Sequence, residues 1–407
     1  MALVLDEFQA EAMAEAFLFE AWATRERAQL TLPPSLLALE PGDVVEVDAG
    51  GEGRQFRIVE VGDHGAREIE ARSIDPDLYG LQRTSARPGR SGDGGFIGQP
   101  LAVFLDLPLL KGDEPPEAGY VAATQTPWPG GVAFYRSPEA AGYGLKAIAD
   151  APAVIGATLD DLPAGPEWRI DHAHRFRVEI ASGQLASVTR LQLLGGANSA
   201  AVETAPGVWE VLQFESAVLV APRTYQLSGL LRGQAGSEHA MAPLLPAGAR
   251  FVLIDGALAR IGQTLDEVGL PFNWKVGPSR RDIGDASYQQ TSRAFRGEGL
   301  KPLSPVRVRG RRAGDGALSI TWLRRTRTGG DTWETSEVPL GETSERYEVE
   351  ILDGGTVLRT IAATATAVAY PPSDQIADFG SLQAAVSVRV RQLSDVAGGG
   401  AARVALV

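Results

Sequence analysis

Apolar and polar positions alternate along most of this chain with a period of two, in short runs broken by Gly, Pro and Asp. That alternation is the mark of half-buried β-strands. One segment differs. Between Asp6 and Arg27 apolar side chains stand at Phe8, Met13, Phe17, Leu18 and Trp22 with Glu and Arg between them, the spacing of an amphipathic helix. Its apolar face needs a partner, and the stretch that follows offers one. From Gln29 to Asp75 alternating runs are cut at Pro33-Pro34, Pro41-Gly42-Asp43, Gly50-Gly51 and Gly62-Asp63, which predicts a small antiparallel meander packed on the helix. Residues 1–79 are expected to form one compact unit.

The segment 80–98, GLQRTSARPGRSGDGGFIG, is poor in apolar residues and rich in Gly, Ser and Arg, and reads as a linker or exposed arm. From 99 to 300 the β pattern resumes, with turn residues at intervals of roughly 8 to 15, the spacing of sandwiches and barrels. Within it the stretch Gly269 to Pro302 is more irregular. Nothing alternates strand with helix, which disfavours a doubly wound α/β fold. The last block, 301–407, holds six or seven strand-like runs, such as VRVRGRR, SITWL and RYEVEIL, around a buried-type Trp322. It resembles a fibronectin type III module. The expected fold class is therefore mainly β: small barrel or sandwich units, one N-terminal amphipathic helix and a C-terminal fibronectin type III-like sandwich.

Composition narrows the function. The 407 residues are 44% hydrophobic and 22% charged, near the globular average and long enough for several domains. A formal charge of −13 opposes tight nucleic-acid binding, which needs clustered Lys and Arg against phosphates. With no Cys there is no disulfide, thiolate chemistry or Cys-based metal site. The opening residues carry Asp6, Glu7 and Glu11 where a signal peptide would be apolar, and no run approaches the ~18 to 20 apolar residues of a membrane helix. The chain reads as cytosolic at synthesis, without a membrane span.

Candidate chemistry is sparse. Asp171-His172-Ala-His174 places two imidazoles on one face of a strand, yet a metal would need a further ligand, and only His64 and His239 remain. A polar strand surface is the plainer reading. The acid pairs Asp113-Glu114, Asp160-Asp161 and Asp266-Glu267 lie in turn-like settings, where solvated acids are usual. No Gly-x-Ser-x-Gly, Walker or His-Glu-x-x-His motif occurs. Trp128 and Trp274 sit among Pro and Gly, where a ring could stack on a sugar or touch a receptor, or else plug a small loop core. Neither a catalytic residue nor a cofactor or metal site is expected.

The stretch YQLSGLLRGQAGSEHA, Tyr225 to Ala240, is the most distinctive in the chain. It reads as a strand that ends at Leu230-Leu231 and enters a tight turn, with Arg232 held by a carboxylate or a carbonyl. Together with the preceding Val208 to Arg223 and with Phe251 to Asp255, it resembles a signature of the baseplate hub or host specificity tail-tip proteins of gene transfer agents and related siphophages. The residues that carry the likeness are Tyr225, Leu230, Leu231, Arg232, Gly233, Gly236 and Glu238. Glu20 to Val47 is similar to the end of the family's tail hub region, and Ser319 to Ile351 to its fibronectin-like C-terminal module.

That resemblance implies a structural, non-enzymatic tail-tip component that helps to close the tail, recognise the host and pass DNA without tight binding. It also implies a homotrimer, partners among other tail-tip proteins (distal tail protein, hub, tape measure), a host surface protein or glycan as receptor, and residence in the virion after assembly in the host cytoplasm. Relatives are commonly longer, with earlier hub domains and an inserted barrel resembling a glycoside hydrolase, so the sequence is expected to be a C-terminal portion, a split gene product or a truncated form of such a protein, and the resemblance carries no hydrolase activity to it. The alternative is a secreted carbohydrate-binding protein built of β-sandwiches.

Overall fold

The computed structural model describes residues 17–48, 53–63, 66–75, 98–112, 114–330 and 338–407. These fall into two compact units, one made of the described residues up to 75 and one of those from 98 onward. The expected arm at 80–98 lies outside the described residues except for Gly98.

In the first unit β1 (Arg27–Leu32), β2 (Val44–Asp48), β3 (Gly53–Asp63) and β4 (Arg67–Ser73) form one antiparallel sheet in the order β1-β4-β3-β2. Alternation puts Leu32, Ile58 and Ile69 on one face, where Leu30, Leu39, Val45 and Val61 pack against them. Of the expected helix, residues 17–23 are helical and the part before 17 lies outside the described residues. The expectation that its apolar face is covered by the meander is corrected here: Phe17, Leu18, Phe19 and Trp22 are all more than half exposed. Arg25 lies over the Trp22 ring, 3.4 Å from its centre.

Ahead of its C-terminal sandwich, the second unit stacks a barrel and two sheets. Its chain first makes β5 (Leu101–Leu105), β6 (Gly119–Thr124), β7 (Val132–Ser137) and β8 (Gly144–Ala149). It continues through β9 (Ile155–Thr158), β10 (Leu162–Pro163), β11 (Asp171–Ile180), β12 (Ser199–Ala205), β13 (Val208–Ala221), β14 (Thr224–Gln234), β15 (Leu244–Leu245) and β16 (Arg250–Leu253). It then returns in β17 (Ala259–Ile261), β18 (Phe272–Pro278) and β19 (Gln289–Arg293). Six of these close a barrel in the order β11-β14-β13-β12-β16-β9.

Period two decides what each face of the barrel does. Ala200, Val202, Leu212, Phe214, Leu227 and Phe251 point inward and fill the barrel. Their neighbours Ala201, Trp209, Val211 and Val252 point outward and meet Val103, Leu105, Tyr120 and Ala122 from the three-stranded sheet β17-β6-β5. The other face of that sheet meets the four-stranded sheet β19-β18-β7-β8 around Phe134, Trp274 and Phe295. Strand β6, GYVAAT, is therefore covered on both faces and buried at every position. The stretch expected to be irregular, Gly269 to Pro302, in fact supplies β18 and β19, which pair with each other from Phe272↔Arg293 to Val276↔Gln289. Its Gly and Pro residues lie in the connections and at the end of β18, and its apolar side chains are spent on packing.

The C-terminal part is a two-sheet sandwich. Here β20 (Val306–Arg312), β21 (Leu318–Leu323), β22 (Tyr347–Asp353), β23 (Thr356–Ala363), β24 (Ala367–Tyr370), β25 (Ser387–Ser394) and β26 (Gly398–Leu406) arrange as β20-β21-β24 facing β23-β22-β25-β26. Trp322 is buried against Tyr347, ring centres 5.1 Å apart and nearly edge-on. The fold is mainly β, as the alternation required, and the strands arrange as a closed barrel, flanking sheets and a fibronectin-like sandwich.

Because Trp274 is fully buried among Phe104, Phe134 and Phe295, Trp274→Ala should lower stability by about 3 to 5 kcal/mol. Urea unfolding monitored by far-UV circular dichroism measures it; a loss under about 1 kcal/mol would mean the ring is not a core element.

Candidate functional site

The signature stretch is built from β14 upward. Tyr225, Leu227 and Leu230 belong to the barrel core, and the strand does not stop at Leu230-Leu231 as expected but runs on to Gln234. It continues because β13 still offers partners: Gln213 pairs with Leu231 and Val211 with Gln234, two steps on β13 against three on β14. The extra residue makes a bulge at Arg232-Gly233. Gly233 has φ +59, and a Cβ there would stand 2.8 Å from the Glu238 Cα, so only glycine fits.

The bulge swings Arg232 into the protein, where its side chain is wholly inaccessible, as is that of Glu210 on β13. Nε and Nη2 of Arg232 donate to the two Glu210 oxygens at 2.7 and 2.8 Å, a bidentate pair. Nη1 donates to the Pro163 carbonyl at 2.9 Å, and the Gly233 N–H adds a further bond to Glu210 at 3.1 Å. A buried charge survives only with such full pairing. Ser237 then accepts from the Val211 N–H at 2.8 Å and donates to the Gln234 carbonyl at 2.7 Å, closing the loop back onto the barrel.

What leaves this loop reaches the sandwich. Glu238 is buried, accepts from the Ser304 hydroxyl at 3.0 Å and pairs with Arg325. Gly236, at φ +83, lies where any Cβ would strike the Leu303 side chain. Beside them Arg403 of β26 holds Glu167 at 2.7 and 2.8 Å and lies over the Trp168 ring. His239 contacts the Glu298 carboxylate at 2.9 Å, and Glu298 also takes Lys301 at 2.6 Å. Burial pushes the Glu298 carboxyl up, but His239 and Lys301 outweigh it and hold the group below its ordinary value. All seven signature residues thus serve the barrel core, the bulge or the barrel–sandwich junction.

The other candidates are dispersed. Trp274 cannot meet a sugar or receptor, since it has no exposed surface and donates its N–H to the Arg293 carbonyl at 3.3 Å; this corrects its reading as a contact residue. Trp128 is half-buried against the same core. Asp171 accepts from the backbone of Ala173 and His174 and touches the His174 ring at 2.7 Å, a local clasp on the bulged start of β11. His64 and Asp113 lie outside the described residues. Asp160 grips Arg177, Asp161 takes the Ala247 N–H, Glu114 caps Lys111 and Gly112, and Glu267 reaches the buried Arg136. Each of these acids is committed to a different partner. Among the described residues no cluster of His, Asp or Glu could hold a metal ion. A shallow depression near Gln99, Leu101, Thr124 and Ser182 has no ionisable lining residue.

Two segments match known protein families. Residues 1–61 match a family described as putative phage tail protein, and residues 153–252 match one described as Rcc01698-like, C-terminal. The second segment spans the barrel from β9 into β16 and contains the whole Arg232 loop; the first contains β1 and β2. No curated protein matches the chain. Similar solved structures include the rat CD45 extracellular region, domains d3-d4, at 12% identity over 33% of this chain and 62% of that one, with a TM-score of 0.20. The chain therefore spans less than two thirds of that relative. A cytokine receptor complex matches at 11% identity over 57% and 90% with a TM-score of 0.19, and chicken CNTN1 FN1-FN3 domains at 9% over 76% and 98%, also at 0.19. These scores are below the level at which two chains share a fold.

Sequence reasoning missed Glu210 and Glu167. Glu210 lies between Trp209 and Val211 in the apolar half of VWEVLQFESAVLVA, and an acid buried there calls for a cation beside it, which was the available signal.

Arg232→Met should cost about 3 to 5 kcal/mol by stranding Glu210, and the double variant Arg232→Met/Glu210→Leu should recover most of that in urea unfolding. Equal losses in both variants would show that the pair is no charge-compensated unit. For Glu298 the lowered value means its stabilisation is complete above the ordinary carboxylate value and is lost as pH falls through the lower folded one. Melting temperature should accordingly drop between about pH 5 and pH 3, and less steeply in Glu298→Gln; parallel curves would refute the assignment.

Proposed function

We propose that this protein is a structural component of the tail tip of a phage or gene transfer agent, in the position of a baseplate hub. The observation that carries the reading is the phage tail protein match at residues 1–61, followed in the chain by the Rcc01698-like match over the barrel. The geometry agrees with an architectural role. Its most buried charges, Arg232 and Glu210, have no exposed surface, so their energy goes into holding the barrel in shape rather than into meeting a substrate.

Assembly is the remaining part of the proposal. Phe17, Leu18, Phe19 and Trp22 in the first unit and Val218, Leu219 and Val220 at the tip of the β13–β14 hairpin are exposed, which supports contacts with other copies or other tail-tip proteins. A homotrimer around an axial passage, with the distal tail protein and tape measure as neighbours, accommodates both patches. A charge of −13 favours DNA passing through such a channel without adhering. The protein acts in the virion, on host contact, after assembly in the host cytoplasm. The carbohydrate-binding alternative loses one of its two aromatic contacts with the burial of Trp274.

Light scattering on the purified protein should give a mass three times the 43.1 kDa of one chain, and negative-stain images should show a particle with a central opening. A strict monomer at every concentration would sink the trimeric part of the reading.

A further inference from the structure

The two sheets of the sandwich treat their arginines in opposite ways. On the β22–β25 face Arg389 and Arg391 are neutralised across the ladder: Arg389 pairs with Glu350, and Arg391 reaches Glu350 at 2.8 Å and Glu348 at 2.9 Å. On the other sheet β20 carries Arg307, Arg309 and Arg311 at alternate positions, all exposed. None of the three has an ion pair or a side-chain hydrogen bond among the described residues. Val308 packs on the sandwich core and Gly310 lies beneath Val407 and Leu318, so Arg309 and Arg311 share the outer face, with the exposed Arg307 at the bulge beside them. Arg309 and Arg311 stand about 6.8 Å apart, as alternate strand residues do, and Arg307 precedes them at a bulge, where the register shifts between Val306 and Arg309.

What lies across the ladder is equally uniform. Arg309 faces Thr321 and Arg311 faces Ser319, and beyond them on β24 stand Ala367 and Ala369. The resulting face is flat, with hydroxyls and methyls beside the charges and no carboxylate opposite them. In a chain with a formal charge of −13, three exposed arginines with no acid beside them form a local positive patch that complements an anionic partner.

We propose that this outer face of β20-β21-β24 is a docking surface for a carboxylated glycan chain. The proposal rests on the host-contact part of the tail-tip reading and gives that contact a chemistry. Guanidinium forks match carboxylates two bonds at a time, and Ser319 and Thr321 can exchange hydrogen bonds with sugar hydroxyls. Nucleic acid fits less well. The face carries no aromatic ring on which bases could stack, and the acidic chain repels a polymer with one charge per ~1.7 Å more strongly than one with sparser charges.

The test is binding of the full chain to polygalacturonate at low and physiological salt, with neutral dextran, single-stranded oligo(dT) and duplex DNA as comparisons. Wild type should bind polygalacturonate in a salt-sensitive way and ignore dextran. Arg307→Asn/Arg309→Ser/Arg311→Ser should weaken binding about tenfold or more, with Asn chosen because Arg307 has φ 52, a conformation that Asn tolerates. The control Arg177→Gln/Arg190→Gln/Arg250→Gln removes the same charge from the barrel and should stay within about twofold. Unchanged melting temperature in both variants keeps folding out of the comparison.

No binding by wild type, equal loss in the two triple variants, or tighter binding to either DNA would overturn the proposal. So would loss of self-association in the β20 variant alone, which would make the row a contact between copies. A monomeric mass with glycan binding intact would count against the hub reading and leave this surface standing.

Discussion

A guanidinium and a carboxylate with no access to water hold the centre of this protein. Moving either ion of such a pair into an apolar interior costs several kcal/mol, so Arg232 and Glu210 are tolerable only because every strong donor finds an acceptor. That requirement propagates outward. It needs the bulge that turns Arg232 inward, the bulge needs glycine at 233, and the resulting loop delivers Glu238 to Ser304 and Arg325 of the sandwich. A single buried pair thereby couples the barrel's closure to the attachment of the next layer.

Layering explains why so few charged groups are left over for chemistry. The barrel uses both faces of its strands, and β6 is enclosed between the barrel and the β7–β18 sheet. Acids and bases are drawn into caps and cross-strand pairs, as with Asp160 on Arg177 and Glu350 on Arg389. The bare arginines of β20 and the exposed apolar side chains of the β13–β14 hairpin are what remain for contacts, and both are surfaces rather than cavities.

Much of this was legible from the residues. Period-two alternation specified the strands and hence the mainly β class, because a strand with one face on a core has no other pattern open to it. Trp322 marked the sandwich core, and the Arg-Gly-Gln-Ala-Gly-Ser-Glu run announced a tight turn around a held arginine. The partner that holds Arg232 was not named in advance, nor was the length of β14, since both depend on what β13 presents 22 residues away. Trp274 was ambiguous for the same reason: Pro and Gly neighbours describe the local chain, whereas its burial depends on Phe104 and Phe295, far off in sequence.

By itself the sequence determined the local alphabet of this protein: strands, turns, the absence of cysteine chemistry and the acidic charge, all properties set within a few residues or by simple addition. The tertiary structure alone decided that six strands close into a barrel, that β6 is covered twice, that Glu210 answers Arg232 and that the arginines of β20 go unanswered. Closure and pairing join residues tens to hundreds of positions apart, and the identity of such partners is set by how the layers stack, which no local spacing encodes.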